Sequence, residues 1–107
     1  MTVPGSLVPP AREEQLHVLK LYVAGVEANS RLARENLKRI CDEYLEGRHR
    51  IDVVDVLTDF ASALKERVFV TPTLILVSPE PRATIVGNLG DRERVISALR
   101  LGMRHDA

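Results

Sequence analysis

The chain is poor in reactive side chains. It has one cysteine, Cys41, in 107 residues, and three histidines, His17, His49 and His105, scattered along its length. A single thiol closes no internal disulfide, and these four side chains lack the spacing of a zinc site. Nothing therefore marks adaptation to an oxidising compartment. Charge of one sign is missing as well. Fifteen basic and fifteen acidic side chains cancel, which removes any bulk attraction to nucleic acid or an anionic membrane. No apolar run approaches the roughly 18–20 residues that span a bilayer. The first residues lack the basic start and apolar stretch of a signal peptide. A cytoplasmic protein with neither nucleic acid nor membrane as partner is expected, and no cofactor.

What is present is aliphatic patterning sufficient for one α/β domain. Residues 1–15 hold three prolines and no apolar periodicity and are expected to form a disordered tail, leaving 16–104 as the folded domain. Leu16 to Ala24 is dense in aliphatic residues and ends at Gly25, which reads as a strand buried on both faces. Asn29 or Ser30 is a candidate N-cap. Ala33, Leu37, Ile40, Cys41, Tyr44 and Leu45 then form one helical stripe up to Gly47. Ile51 to Leu57 is a second strand, so the unit is a right-handed βαβ crossover. Thr58 or Asp59 caps a shorter helix with Phe60, Ala61, Leu64 and Val68 facing inward. Thr71–Pro72 stops it, Thr73 to Val77 and Arg82 to Val86 pair as a hairpin around Ser78–Pro81, and a last helix from Asp91 buries Val95, Ala98, Leu99 and Met103. The order βαβαββα is that of a thioredoxin-like domain.

The chemistry such a domain usually carries is absent. Where the first strand passes into the first helix the sequence reads Gly25-Val26-Glu27-Ala28-Asn29-Ser30, without the C-x-x-C of a redox thioredoxin. Cys41 falls about three turns into the helix on the apolar stripe, where burial raises a thiol pKa and no helix N-terminus stabilises the thiolate. A thiol-dependent redox protein using Cys41 is the alternative reading, and the buried structural cysteine is preferred. No G-x-S-x-G elbow occurs, and the histidines read as surface residues. Gly87-Asn88-Leu89-Gly90 lacks phosphate-loop spacing, and Asp91 and Glu93 would repel an anion there. In the first helix Arg31 and Arg34 lie near the N-terminus and Asp42, Glu43 and Glu46 near the C-terminus, against the macrodipole. Pairs at i,i+4 (Arg31–Glu35, Lys38–Asp42, Arg39–Glu43) recover part of that cost.

Five ordered blocks carry a resemblance: Leu19-Lys20-Leu21-Tyr22-Val23-Ala24-Gly25, Asn29-Ser30, Asp55-Val56-Leu57, Thr71-Pro72-Thr73-Leu74 and Gly87-Asn88-Leu89-Gly90-Asp91-Arg92-Glu93. Together they resemble the KaiB family, whose pattern runs LKLYVAG, PNS, DVL, ATPTL and GDLSDRE, over residues 18–102. The resemblance implies a small non-enzymatic clock protein that binds the ATPase KaiC and, in that complex, captures KaiA and affects output kinases. A KaiA-type or histidine-kinase partner, a stand-alone sensor-like module and a homo-oligomer stay open. It also implies two folds: a tetrameric ground state with a rearranged C-terminal half, and a thioredoxin-like, binding-competent state in which Pro72 follows a cis bond. Contact with KaiC would lie on the second strand, the second helix and Arg67, involving Asp52, Asp55 and Leu57.

Several positions depart from the family. Ala98 and Arg100 stand where clock members have a glycine and an acidic residue, Asp52 replaces a lysine, Leu32 an arginine, and Asp59-Phe60 an Asn-Pro. Arg67 keeps a basic residue. Alanine is better than glycine inside a helix by ~1 kcal/mol, and a cation near a helix C-terminus adds a few tenths to ~1 kcal/mol. The chain is therefore expected to rest in the thioredoxin-like fold, with Pro72, Ala98 and Arg100 as its conformational controls. The altered charges point to a diverged KaiC or another target in clock-derived stress signalling.

Overall fold

The computed structural model describes residues 15–102. The expected tail (apart from Gln15), Met103 and His105 lie outside the described residues. Seven elements follow in the order β1 (His17–Val23), α1 (Ala28–Tyr44), β2 (His49–Asp55), α2 (Phe60–Lys65), β3 (Thr73–Ser78), β4 (Ala83–Val86) and α3 (Arg92–Ala98). The strands form one sheet in the order β2-β1-β3-β4. β1 runs parallel to β2 and antiparallel to β3, and β3 pairs antiparallel with β4. This is the mixed sheet of a thioredoxin-like domain.

Side chains alternate along a strand, so β1 feeds two cores. Leu19, Leu21 and Val23 join Leu74, Leu76 and Ile85 on the face covered by α1 and α3, where Ala33, Leu37, Ile40, Cys41, Leu45, Val95 and Leu99 pack against them. Tyr22 and Ile75 face the other way and meet only Ala63 and Val68 as buried partners. The first core is broad and the second thin. A Leu37→Ala change belongs to the first and carries the ~2–5 kcal/mol cost of a core cavity.

Two local expectations are corrected. Asn29 and Ser30 are not the cap of α1: Glu27 is, its carboxylate accepting from Ser30 N at 3.0 Å. Ser30 is buried because its hydroxyl accepts the Ala24 N–H at 3.0 Å, which the end of β1 would otherwise leave unpaired. In α2, Phe60, Ala61 and Leu64 face solvent, and Ala63 is the residue that faces in. Ala98 faces in as expected, half-buried against the main core.

The histidines also differ from expectation. His17 is buried, with Nδ1 against Gln15 O. His49 is the first residue of β2, is half-buried, and its Nδ1 meets Leu45 O at 2.8 Å. Both positions follow from the parallel register, which sets His17 beside His49 at the foot of the sheet.

Candidate functional site

Two of the expected contact residues, Asp55 and Leu57, lie where β1 and β2 end and α2 begins. Asp55 closes β2, and its carboxylate turns inward: Oδ1 accepts from Gly25 N and from Leu57 N, each at 3.0 Å. Val56 N donates to Val23 O at 2.8 Å, which draws the same two connections together. Leu57 then crosses Gly25 so closely that a Cβ on that glycine would stand 3.1 Å from Leu57 Cδ1, and Gly25 itself holds φ +55°. Only glycine takes both the conformation and the contact without strain. Leu57 nevertheless stays 72% exposed.

Asp59 caps α2. Its side chain accepts from Ser62 Oγ at 2.7 Å and from Ser62 N at 3.1 Å, and these two hydrogen bonds hold its carboxyl below the usual carboxylate range. α2 ends in a Schellman motif. Arg67 N donates to Leu64 O and Val68 N to Ala63 O, with buried Val68 packed against Ala63. The residue between them must be left-handed, a place glycine usually takes, yet Arg67 occupies it at φ 59° with its side chain exposed. Leu57, Phe60, Leu64, Phe69 and Val70 are all exposed large apolar residues within 57–70. Asp52 stands apart on edge strand β2, where Arg50 holds it through Nε at 3.3 Å and Nη2 at 3.1 Å. The structure thus brings Asp55 and Leu57 together at one end of the sheet and leaves Asp52 along the edge. It sets Arg67 at the far end of α2, next to Glu66, which pairs with Arg82 just before β4.

Phe60, Leu64, Phe69 and Val70, on and after α2, are the exposed apolar residues that sequence reasoning missed. A signal was there. Between Leu57 and Val70 the chain has more large apolar residues than one face of a six-residue helix can bury. Such a surplus marks an exposed apolar patch.

The remaining candidates sit elsewhere. Pro72 is buried, follows a cis bond, and its carbonyl accepts from Gly87 N at 2.9 Å, joining the start of β3 to the end of β4. Ala98 is the last residue of α3, and Arg100 follows in a left-handed conformation at φ 57°. A second Schellman motif forms there, with Arg100 N to Ser97 O and Leu101 N to Ile96 O. Cys41 is fully buried in the main core, and burial pushes its thiol up to about 12. Among the described residues no cluster of three or more His, Cys, Asp or Glu side chains could hold a metal ion, and no helix is long and apolar enough to cross a membrane.

Comparison with known proteins agrees with this fold. The KaiB domain model matches residues 20–101. The chain is 41% identical over 90 residues to the circadian clock oscillator protein KaiB of Nostoc punctiforme, covering 84% of this chain and 86% of that one. It is 42% identical over 88 residues to the protein of that name from Microcystis aeruginosa, covering 82% and 85%. Among solved structures, the N-terminal domain of Synechococcus elongatus SasA superposes with a TM-score of 0.67 at 22% identity, over 87% of this chain and 91% of that one. The Drosophila thioredoxin Deadhead superposes at 0.64 with 14% identity, over 81% and 83%. The structural likenesses establish the thioredoxin-like fold, and the sequence match, running through nearly all of the sheet and its helices, places this chain in the KaiB family.

Proposed function

We propose that the chain is a non-catalytic, cytoplasmic binding protein that docks on a KaiC-type ATPase in a clock or clock-derived signalling pathway. The observation that carries this reading is the exposed apolar group Leu57, Phe60, Leu64, Phe69 and Val70 around α2. Isolated exposed apolar side chains are ordinary, but a run of them beside an exposed arginine is the composition of an interface core with a polar edge. The junction from Gly25 to Ser30 offers no thiol, and the one thiol present is buried and held protonated. Surface shape is what remains to act with.

We also propose that the protein rests in the fold described. Support comes from the C-terminal half. Arg92 pairs with Glu43 and lies 5.7 Å from the Tyr44 ring centroid. Asn36 Nδ2 donates to Asn88 O at 2.9 Å, and Asn88 Nδ2 to Asn29 Oδ1 at 3.3 Å. These contacts, with buried Leu89, Val95, Leu99 and Leu101, fasten α3 and its loop to α1.

Immobilised protein incubated with lysate of its native host tests the docking reading. A KaiC-type ATPase is expected in the retained fraction. Its absence there while abundant in the lysate would contradict the reading.

A further inference from the structure

We infer that Asp55 is a positioning residue whose carboxylate fixes Leu57 as a preformed apolar knob, so that a partner meets the knob and not the charge. The inference rests on the docking reading above and assigns how that surface is built.

Asp55 Oδ1 receives two backbone N–H groups, one from Gly25, 30 residues away in sequence, and one from Leu57 in its own turn. The main chain of the same residue is equally occupied. Asp55 O accepts from Asp59 N at 2.8 Å, from Thr58 N at 3.0 Å and from Thr58 Oγ1 at 3.2 Å. The turn from 55 to 59 is therefore held from both sides, with Leu57 at its crest. The Leu57 side chain rests on Gly25, where the missing Cβ leaves its seat. An exposed apolar side chain on a backbone already ordered loses little freedom on association, and that is the property of an anchor residue. The partner chemistry that fits is an apolar socket.

A double-mutant cycle on the full chain, titrated with a purified KaiC-type ATPase, tests this. Leu57→Ala is expected to weaken binding at least about tenfold, the loss typical of an anchor. Asp55→Ala should weaken it as well, and the double variant should bind no more weakly than Leu57→Ala alone. Asp55→Asn keeps the accepting oxygen and should stay within about threefold of the unsubstituted chain. In amide NMR spectra, Gly25 and Leu57 should shift in Asp55→Ala and return in Asp55→Asn. Should Asp55→Ala not fold, Asp55→Glu moves the carboxylate by about 1.5 Å and serves in the same cycle.

Additive losses for Asp55→Ala and Leu57→Ala would overturn the inference. So would Asp55→Asn binding as weakly as Asp55→Ala, because the charge itself would then be the contact. If Leu57→Ala binds normally while Phe60→Ala or Leu64→Ala does not, the inference falls and the docking reading stands. If none of the three matters, both fall.

Discussion

Cys41 is chemically silent because of where the helix puts it. Desolvation raises its thiol to about 12, with Asp42 adding to the effect, against roughly 8.5 for a free cysteine. Between those values the folded chain keeps a proton that the unfolded chain gives up. The thiol's contribution to stability is therefore complete below the unfolded pKa and is lost as pH rises toward the folded one. Urea melts should show stability falling from pH 8 to 10.5, and Cys41→Ala should show a shallower fall. The folded protein should also resist thiol alkylation at pH 8 and react only after unfolding. The two left-handed arginines behave differently. A non-glycine residue there costs roughly 1 kcal/mol, more than the few tenths that a cation beside the helix C-terminus returns, so Arg100→Gly should stabilise the chain by about 0.5 kcal/mol in thermal melts. Arg67→Gly should stabilise similarly but weaken ATPase binding, since strain retained at a surface residue is a mark of use. If both variants gain stability and neither loses affinity, the strain at Arg67 has no role in docking.

Among the elements, α1 and α2 show what tertiary context adds. The charges of α1 oppose its macrodipole, and i,i+4 pairing recovers less than expected. Lys38 and Asp42 do pair at 2.8 Å, but Arg31 and Glu35 do not, Arg39 bonds Asn36, and Glu43 turns to Arg92. The C-terminus of α1 is served instead by Arg48 Nη2 on Tyr44 O and His49 Nδ1 on Leu45 O, two donors from beyond the helix. α2 is anchored on the thin core through Ala63 and Val68. Hydrogen exchange should accordingly release the amides of α2 well before those of β1 and β3, whose side chains fill both cores. Equal protection would show that α2 is held by more than these contacts.

The same elements mark where the sequence was readable. The aliphatic runs of β1 and β3 and the long stripe of α1 left little choice of strand, helix or crossover. In α2 the stripe through Phe60, Ala61, Leu64 and Val68 was out of phase, because Asp59 sets the start of the helix and the turn at Arg67 places Val68 independently of helical rotation. Asp55, Leu57 and Arg67 enter as candidate contacts only through the family resemblance, and the structure sets Asp55 and Leu57 side by side while Arg67 follows α2. The inward aim of the Asp55 carboxylate was not legible, since it depends on Gly25 being brought across from another strand.

At the scale of the whole molecule, one face of the sheet carries a deep core and the fastened α3, while the other carries a small helix ringed by exposed apolar groups. That asymmetry separates a part that holds the fold from a part whose large apolar side chains stay exposed. NMR of the isolated chain should find helix at 92–98, and strand pairing over 95–101 would contradict rest in this fold. The central claim is that the α2 end of the sheet binds a KaiC-type ATPase, and calorimetric titration of that ATPase with the chain and with a Phe60→Asp, Leu64→Asp double variant tests it most directly. Saturable binding that falls at least about tenfold in the double variant is predicted, a loss of the size expected when buried anchors become charged. Absence of binding by the unsubstituted chain, or equal affinity for both proteins, would contradict it.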